Sequence, residues 1–225
     1  PLITGGSLKV FDPKEDILDI LKEYFNGKLS GIKITPAHIS ALDGLDIKTS
    51  NVEVAVVGGE ALTQKQIQIL KGLNPSIKIY NEYGPTETTV GCIVYEITSS
   101  DEEILIGKPI SNTTICILDE FKNLQPKGIA GEIYIGGSGL SKGYLNRADL
   151  MADKFIENPY KHGDTLYKSG DIGRWLPDGN IEYFGRIDDQ VKIRGHRIEL
   201  GEIEACLQKY SDEVRQVVID VKERN

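Results

Sequence analysis

Most of what this sequence has little of is informative. It holds three cysteines (Cys92, Cys116, Cys206), odd in number and widely separated, with no Cys-x-x-Cys pair. Neither a disulfide framework nor a zinc module is indicated, and reduced thiols in a cytoplasmic protein are the expectation. Three histidines, His38, His162 and His196, are equally scattered. Positive charge is scarce: 26 Lys and Arg stand against 34 Asp and Glu, a formal net charge of −8. A nucleic-acid or anionic-membrane binder needs a basic face, so neither partner is expected. No apolar run approaches membrane-spanning length, and the start Pro-Leu-Ile-Thr-Gly-Gly is not a signal peptide. There is no initiating Met, and the chain ends on Val-Lys-Glu-Arg-Asn, so cuts at both ends of a longer protein are expected.

What remains suits a globular protein: 225 residues, 40% hydrophobic and 27% charged. The first ninety or so residues alternate strand and helix patterns. Residues 7–11 read as a strand. Asp12, Pro13 and Glu15 then form a capping box ahead of a helix with Ile17, Leu18, Leu21, Tyr24 and Phe25 on one face. Residues 31–35 are a strand stopped by Pro36, and the β-branched stretch 51–57 is another, closed by Gly58-Gly59. Thr63 with Gln66 opens a helix to about Leu70, and residues 77–80 make the next strand. Strands separated by helices predict a helix-covered, mostly parallel sheet. After residue 95 come short strands at 115–118, 132–135 and 181–184, split by turns such as Pro177-Asp178-Gly179-Asn180. They predict a distorted antiparallel, barrel-like part. From Asp188, a hairpin of residues 191–194 and 197–198 around Gly195-His196 precedes a helix with Leu200, Ile203, Leu207 and Tyr210 on its buried stripe. A strand at 214–221 follows. Some thirty residues cannot bury a core alone, so 188–225 reads as the opening of a small α+β unit.

Open α/β sheets bind ligands at loops after the carboxyl ends of their strands. Two such loops are expected here, Gly58-Gly59-Glu60-Ala61 and Asn81-Glu82-Tyr83-Gly84-Pro85-Thr86-Glu87. Glycines admit a flat ligand closely. Asn81 offers amide groups to a base edge, Tyr83 a stacking face and Thr86 a hydroxyl. Glu87 is a hard oxygen ligand suited to magnesium arriving with a nucleotide. The glycine-rich stretch 136–143 lacks the spacing and the βαβ setting of a dinucleotide fingerprint, and is read as a turn between barrel strands.

The segment 81–87 resembles the Asn-x-Tyr-Gly-Pro-Thr-Glu motif of adenylate-forming enzymes. Three more stretches match in family order. Gly131-Glu132-Ile133-Tyr134-Ile135-Gly136-Gly137-Ser138-Gly139-Leu140-Ser141-Lys142-Gly143-Tyr144-Leu145 is similar to the glycine-rich segment. Tyr167-Lys168-Ser169-Gly170-Asp171 is similar to a Tyr-Lys/Arg-Thr-Gly-Asp segment, with Ser for Thr. The stretch from Gly185 to Glu204 is similar to the hinge segment. The chain thus resembles the later two-thirds of the adenylation domain of a nonribosomal peptide synthetase, truncated at both ends.

That resemblance implies amino-acid activation: a carboxylate attacks the α-phosphate of ATP, giving an aminoacyl-adenylate and pyrophosphate. The aminoacyl group then passes to the phosphopantetheine thiol of a peptidyl carrier domain, in a multidomain protein that also holds a condensation domain. It implies nucleotide contacts for Gly58, Gly59, Glu60, Ala61, Asn81, Tyr83, Gly84 and Thr86. Asp171 would sit on the ribose hydroxyls, Tyr183 against the nucleotide, and Arg186 near ribose and phosphates. Thr86, Glu87 with magnesium, and Arg186 would be the catalytic set, and Asp188 the hinge. The implied units are 1–187, divided into 1–95 and 96–187, and the mobile 188–225. The triphosphate loop lies upstream of Pro1 in relatives and a bridging lysine downstream of Asn225, so the isolated chain is expected to be inactive. Carried-over pocket positions are Lys33, Val56, Gly58, Glu82, Val90 and Gly91. Lys33 can only donate and ionised Glu82 only accept, which suits the carboxamide of asparagine before aspartate or glutamine. Acyl-CoA synthetases, D-alanine–carrier protein ligases and a non-catalytic nucleotide-binding fragment are the alternatives.

Overall fold

The computed structural model describes all residues except 13, 100–102, 189, 194, 211–216 and 223–225. It opens with α1 (Ile17–Asn26), β1 (Gly31–Ile34), α2 (Pro36–Ala41), β2 (Val54–Gly58), α3 (Gln64–Leu73), β3 (Lys78–Tyr83), β4 (Ile93–Ile97) and β5 (Lys108–Pro109). These five strands lie in one sheet in sequence order. β1, β2 and β3 run parallel, as expected from strands spaced by helices, and β4 and β5 add antiparallel. The capping box at Thr63 and Gln66 starts α3, with the Thr63 N–H donating to Gln66 Oε1 at 2.8 Å. Ile67 and Leu70 on α3, Ala55 and Val57 on β2, and Ile79 on β3 are fully buried in one core.

Four expectations about this region change. Residues 7–11 form no strand. Lys9 pairs with Glu23 and lies over the Phe11 ring, and Phe11 packs edge-on against Tyr24 at 5.0 Å. Those contacts draw the segment along α1 instead of the sheet, leaving Leu8 and Val10 exposed. The turn at Asp12 and Glu15 forms, but the helix begins later, capped by Asp16, whose carboxylate accepts from the Leu18 N–H; Pro13 lies outside the described residues. Ile17 and Leu18 are accordingly half-exposed, and Ile20, Leu21 and Phe25 form the buried face. Pro36 does stop β1, but it also opens α2, where a missing N–H is harmless.

The second sheet contains β6 (Thr113–Leu118), β7 (Gly131–Gly137), β8 (Phe155–Glu157), β9 (Thr165–Trp175) and β10 (Ile181–Arg186), with α4 (Ala148–Lys154) between β7 and β8. Its order is β10-β9-β7-β6, all antiparallel, with β8 beside β9. Neither β9 nor α4 was evident in the sequence. Cys92, Ile93 and Ile106 pack with Ile117, Ile133, Ile135 and Ile181 in a core shared by the two sheets. That packing fixes the end of β3 against β9 and β10.

The last described part is a hairpin of β11 (Val191–Ile193) and β12 (His196–Ile198), followed by α5 (Leu200–Gln208). His196 already belongs to β12, so the turn sits one residue earlier than expected; Arg194 lies outside the described residues. The expected stripe of α5 is not buried: Ile203, Leu207 and Tyr210 are all exposed. Among the described residues, no second layer covers them. The strand expected at 214–221 lies outside the described residues up to 216, and 217–221 is irregular.

Candidate active site

Asp171 is the hub of one cluster, and the shape of β9 puts it there. Glu132 of β7 faces Ile172, while Tyr134 faces Lys168, so three residues of β9 stand against Ile133 alone. This bulge needs Gly170, at φ 77°, because left-handed backbone strains a residue with a Cβ. Ser169 Oγ donates to the Ile133 carbonyl at 2.6 Å, and the Gly170 N–H donates to Glu132 Oε1 at 3.0 Å. The Asp171 carboxylate, 5% exposed, then accepts from three side chains. Tyr83 Oη on β3 donates to Oδ2 at 2.5 Å, while Tyr183 Oη and Arg186 Nη1 on β10 donate to Oδ1 at 3.2 and 3.1 Å.

Burial first, and then the Asp171 charge, push both phenols far above their ordinary value of 10.0, so they remain donors at neutral pH. Arg186 also grips Asp188 with a two-pronged fork, Nε to Oδ1 at 2.6 Å and Nη2 to Oδ2 at 2.7 Å. Burial opposes the charge on both partners, but the pairing outweighs it. Arg186 is raised, and Asp188 is held below its ordinary 3.8.

Glu87 anchors a second cluster. It sits in a single 3-10 turn, Thr86–Thr88, with 7% of its surface exposed. Its Oε1 accepts from Tyr144 Oη at 2.5 Å, and Arg197 Nη1 lies 2.8 and 3.0 Å from its two oxygens. Burial raises the Glu87 carboxyl, but the Tyr144 hydrogen bond, a backbone bond and the Arg197 charge outweigh it, leaving the group below its ordinary 4.5. The cluster borders a cavity of about 460 Å³ that Thr86, Ser141 and Lys154 also line. Magnesium normally takes one or two protein carboxylates and completes its shell with phosphate and water. One buried carboxylate facing a cavity fits that habit. Among the described residues no group of three or more His, Cys, Asp or Glu side chains makes an all-protein cage.

The glycine-rich stretch does more than turn between strands. The Ser141 N–H donates to the Glu87 carbonyl at 2.8 Å, and Thr89 Oγ1 donates to the Gly139 carbonyl at 2.6 Å. These bonds fasten 136–143 to the 86–89 loop and bring Tyr144 over Glu87. The loop itself is strained: Thr89 and Val90, both β-branched, adopt φ of 63° and 67°. It folds back so closely that a Cβ on Gly84 would lie 1.5 Å from the Val90 carbonyl oxygen.

A third group lies on the far side of β3. Lys33 Nζ is 2.5 Å from Glu82 Oε2, with the Glu82 side chain 15% exposed. The register aligns Lys33 with Val56 and Gly58 with Glu82, so three adjacent parallel strands supply the group. A Cβ on Gly58 would approach Glu82 Oε2 at 3.3 Å, and one on Gly91 would meet Oε1 at 2.2 Å. Lys33 and Gly58 also border a cavity of about 410 Å³. Val90 is half-exposed at the rim of the same loop.

Tyr83, Asp171, Tyr183, Arg186 and Asp188 thus come together, as do Lys33, Gly58, Glu82 and Gly91, with Thr86 and Glu87 at their own cavity. Asn81 does not join them: its buried amide donates to the Leu105 carbonyl at 2.8 Å. Asn81, Glu82 and Tyr83 are the end of β3, not a loop. Gly59 and Glu60 follow β2 as expected, but the Glu60 carboxylate accepts from the Ala37 and Gly195 N–H groups at 3.0 and 2.8 Å. Ala61 is exposed. Sequence reasoning passed over Tyr144 and Arg197, although both lie inside recognised segments. The signal for Tyr144 was a phenol directly after the glycine-rich run.

The AMP-binding enzyme family matches residues 1–145. Bacitracin synthase 3 of Bacillus licheniformis is 45% identical over 99% of this chain, and tyrocidine synthase 3 of Brevibacillus parabrevis is 44% identical over 100% of it. The chain spans only 4% of the length of each. A solved peptide-synthetase protein with adenylation and carrier domains, bound to a vinylsulfonamide inhibitor, superposes with a TM-score of 0.75 at 30% identity, over 81% of this chain and 33% of that one. With more than half its length matched, this chain belongs to the AMP-binding enzyme family, and it is similar to a portion of peptide-synthetase adenylation domains.

Proposed function

We propose that the protein activates an amino acid as its aminoacyl-adenylate at the expense of ATP, and delivers it to the phosphopantetheine thiol of a carrier domain within a nonribosomal peptide synthetase. The observation that carries this reading is the end of β3, where Glu82 and Tyr83 point into two different polar clusters. Asp171 presents two carboxylate oxygens, suited to the paired hydroxyls of a ribose, with Tyr183 beside it. Arg186 supplies a planar cation toward phosphate and ribose. Thr86 and Glu87 face the neighbouring cavity, where Glu87 would hold magnesium; when bound, that ion neutralises phosphate charge. The substrate carboxylate is already a nucleophile, so no protein base is required. The side chains then act by positioning and by charge neutralisation.

The amino acid we propose is asparagine. Its carboxamide would enter between Lys33 and Glu82, taking a hydrogen bond from Lys33 on oxygen and giving one to Glu82 from nitrogen. Gly58 and Gly91 leave the room Glu82 needs, and Val56 and Val90 would complete the wall. Asp188, two residues after β10 and held by Arg186, is proposed as the hinge between a core of residues 1–187 and a small unit beginning at 188. ATP–pyrophosphate exchange by the full-length protein tests the reading across a panel of amino acids. Asparagine should give the highest rate, and a clear preference for an apolar amino acid would refute the assignment.

A further inference from the structure

The proposed metal ligand and the small C-terminal hairpin are joined by one contact that the proposed function leaves unexplained. Glu87 belongs to the core, while Arg197 belongs to β12, 110 residues later in the chain. Arg197 Nη1 lies within 3.0 Å of both Glu87 oxygens, the position a cation bridging that carboxylate would take. The Glu87 side chain is 8% exposed, so one cation at a time has access to it.

Other contacts also hold the hairpin to the core, among them a hydrogen bond between Arg197 and Tyr167 of β9. The Gly195 N–H donates to Glu60 Oε1 at 2.8 Å, and Gly195 packs against Thr35, where an added Cβ would sit 3.3 Å from Cγ2. Arg197 also has a partner it can keep after leaving: its Nε donates to Glu199 Oε1 at 3.2 Å, just beyond β12. Release from Glu87 therefore leaves no unpaired cation. Tyr144 can stay on Glu87 Oε1 in either state.

We propose that Arg197 is an internal competitor for the Glu87 carboxylate, so that the 191–198 hairpin docks on the core only while Glu87 holds no metal ion. The inference rests on Glu87 being a metal ligand. A cation at Glu87 would repel the guanidinium and take its oxygens, and the hairpin would lose a charged anchor to the core. Conversely, a docked hairpin would weaken metal binding by the same factor, because coupling between two binding events is reciprocal.

The test uses the full-length protein with two readouts. Hydrogen exchange of the peptide covering 191–198 is followed in chelator and in Mn²⁺ with saturating α,β-methylene-ATP. Mn²⁺ affinity is measured by electron paramagnetic resonance at the same nucleotide concentration. Wild type should show slow exchange in chelator and faster exchange when Mn²⁺ is added to the nucleotide complex. Arg197→Gln should exchange fast in both and bind Mn²⁺ about 5-fold tighter or more. Arg197→Lys should fall between the two. Mn²⁺ binding that Glu87→Gln does not weaken overturns the metal role of Glu87, and this inference with it. Binding that Glu87→Gln weakens, but that wild type and Arg197→Gln share within twofold, overturns the competition alone. Slow hairpin exchange in Arg197→Gln also overturns it.

Discussion

Replacing Asp171 by Asn probes the hub of the nucleotide-side cluster, because the change keeps shape and removes charge. Three donors converge on the carboxylate: Tyr83 Oη on Oδ2, and Tyr183 Oη and Arg186 Nη1 on Oδ1. An asparagine must turn one oxygen into a donor. Arg186 cannot accept a hydrogen bond, whereas a phenol can rotate and accept one. The amide nitrogen should therefore face Tyr83, and its oxygen Tyr183 and Arg186. Each charge-assisted bond that becomes neutral loses about 1 kcal/mol, so the two phenol bonds lose about 2 kcal/mol together, while the Arg186 bond keeps its charged donor. Removing one partner of a buried ion pair typically costs about 3–5 kcal/mol. The Arg186 and Asp171 side chains are only 12% and 7% exposed, but Arg186 keeps its fork on Asp188, which lowers the cost. About 2–3 kcal/mol is the expected loss. For a unit of this size it corresponds to a fall in Tm of about 5–10 °C. Thermal and urea denaturation measure it, with Tyr83→Phe as the second arm of a double-mutant cycle. The coupling between the two should be about 1 kcal/mol. A loss under about 0.5 kcal/mol, or strict additivity with Tyr83→Phe, would refute the view that this carboxylate organises the cluster.

Acid should loosen both the Glu87 cluster and the Arg186–Asp188 fork in a defined window. Glu87 and Asp188 are held below their ordinary values of 4.5 and 3.8, so their contribution is full above those values and is lost as pH falls through the lowered ones. Urea midpoints should therefore drop below about pH 4.5, and Glu87→Gln should flatten that drop; an unchanged slope would count against the Glu87 pairing. Gly91→Ala places a Cβ 2.2 Å from Glu82 Oε1 and must push that carboxylate away from its place beside Lys33. Pyrophosphate exchange with the preferred amino acid should fall about 10-fold or more, mainly through KM, while Tm shifts by only a few degrees, and an unchanged KM would contradict the pocket. Burial pushes the Cys92 thiol up to about 11 and also raises Cys116, whereas Cys206 is exposed. A thiol-disulfide reagent at pH 8 should label Cys206 quickly and the other two only after denaturation, and fast labelling of Cys92 would show that the core shared by the two sheets opens.

The parallel strands were legible because their cause is local. The β-branched run before Gly58 and the capping box at Thr63 each act within a few residues. β9 was not, and its residues explain why. Ser169, Gly170, Asp171 and Gly173 break any strand pattern, and the strand exists because β7, β8 and β10 all pair with it. Tyr144 meets Glu87 across 57 residues, and Arg197 meets it across 110, distances no local pattern encodes. The segment 81–87 was legible as chemistry but not as geometry. Reading it as a loop assigned Glu82 and Tyr83 different tasks without a geometric reason, whereas β3 continues through Tyr83 and sends successive side chains to opposite faces. Glu82 therefore turns to Lys33 while Tyr83 turns to Asp171. A one-residue slip of β3 against β2 would exchange the two faces. A slip that carried Glu82 into the place of Tyr83 would set a carboxylate beside Asp171 and leave Asn81 in the place opposite Lys33. Under the proposed function, the β2–β3 register that aligns Gly58 with Glu82 is thus what separates the amino-acid side of the site from the nucleotide side.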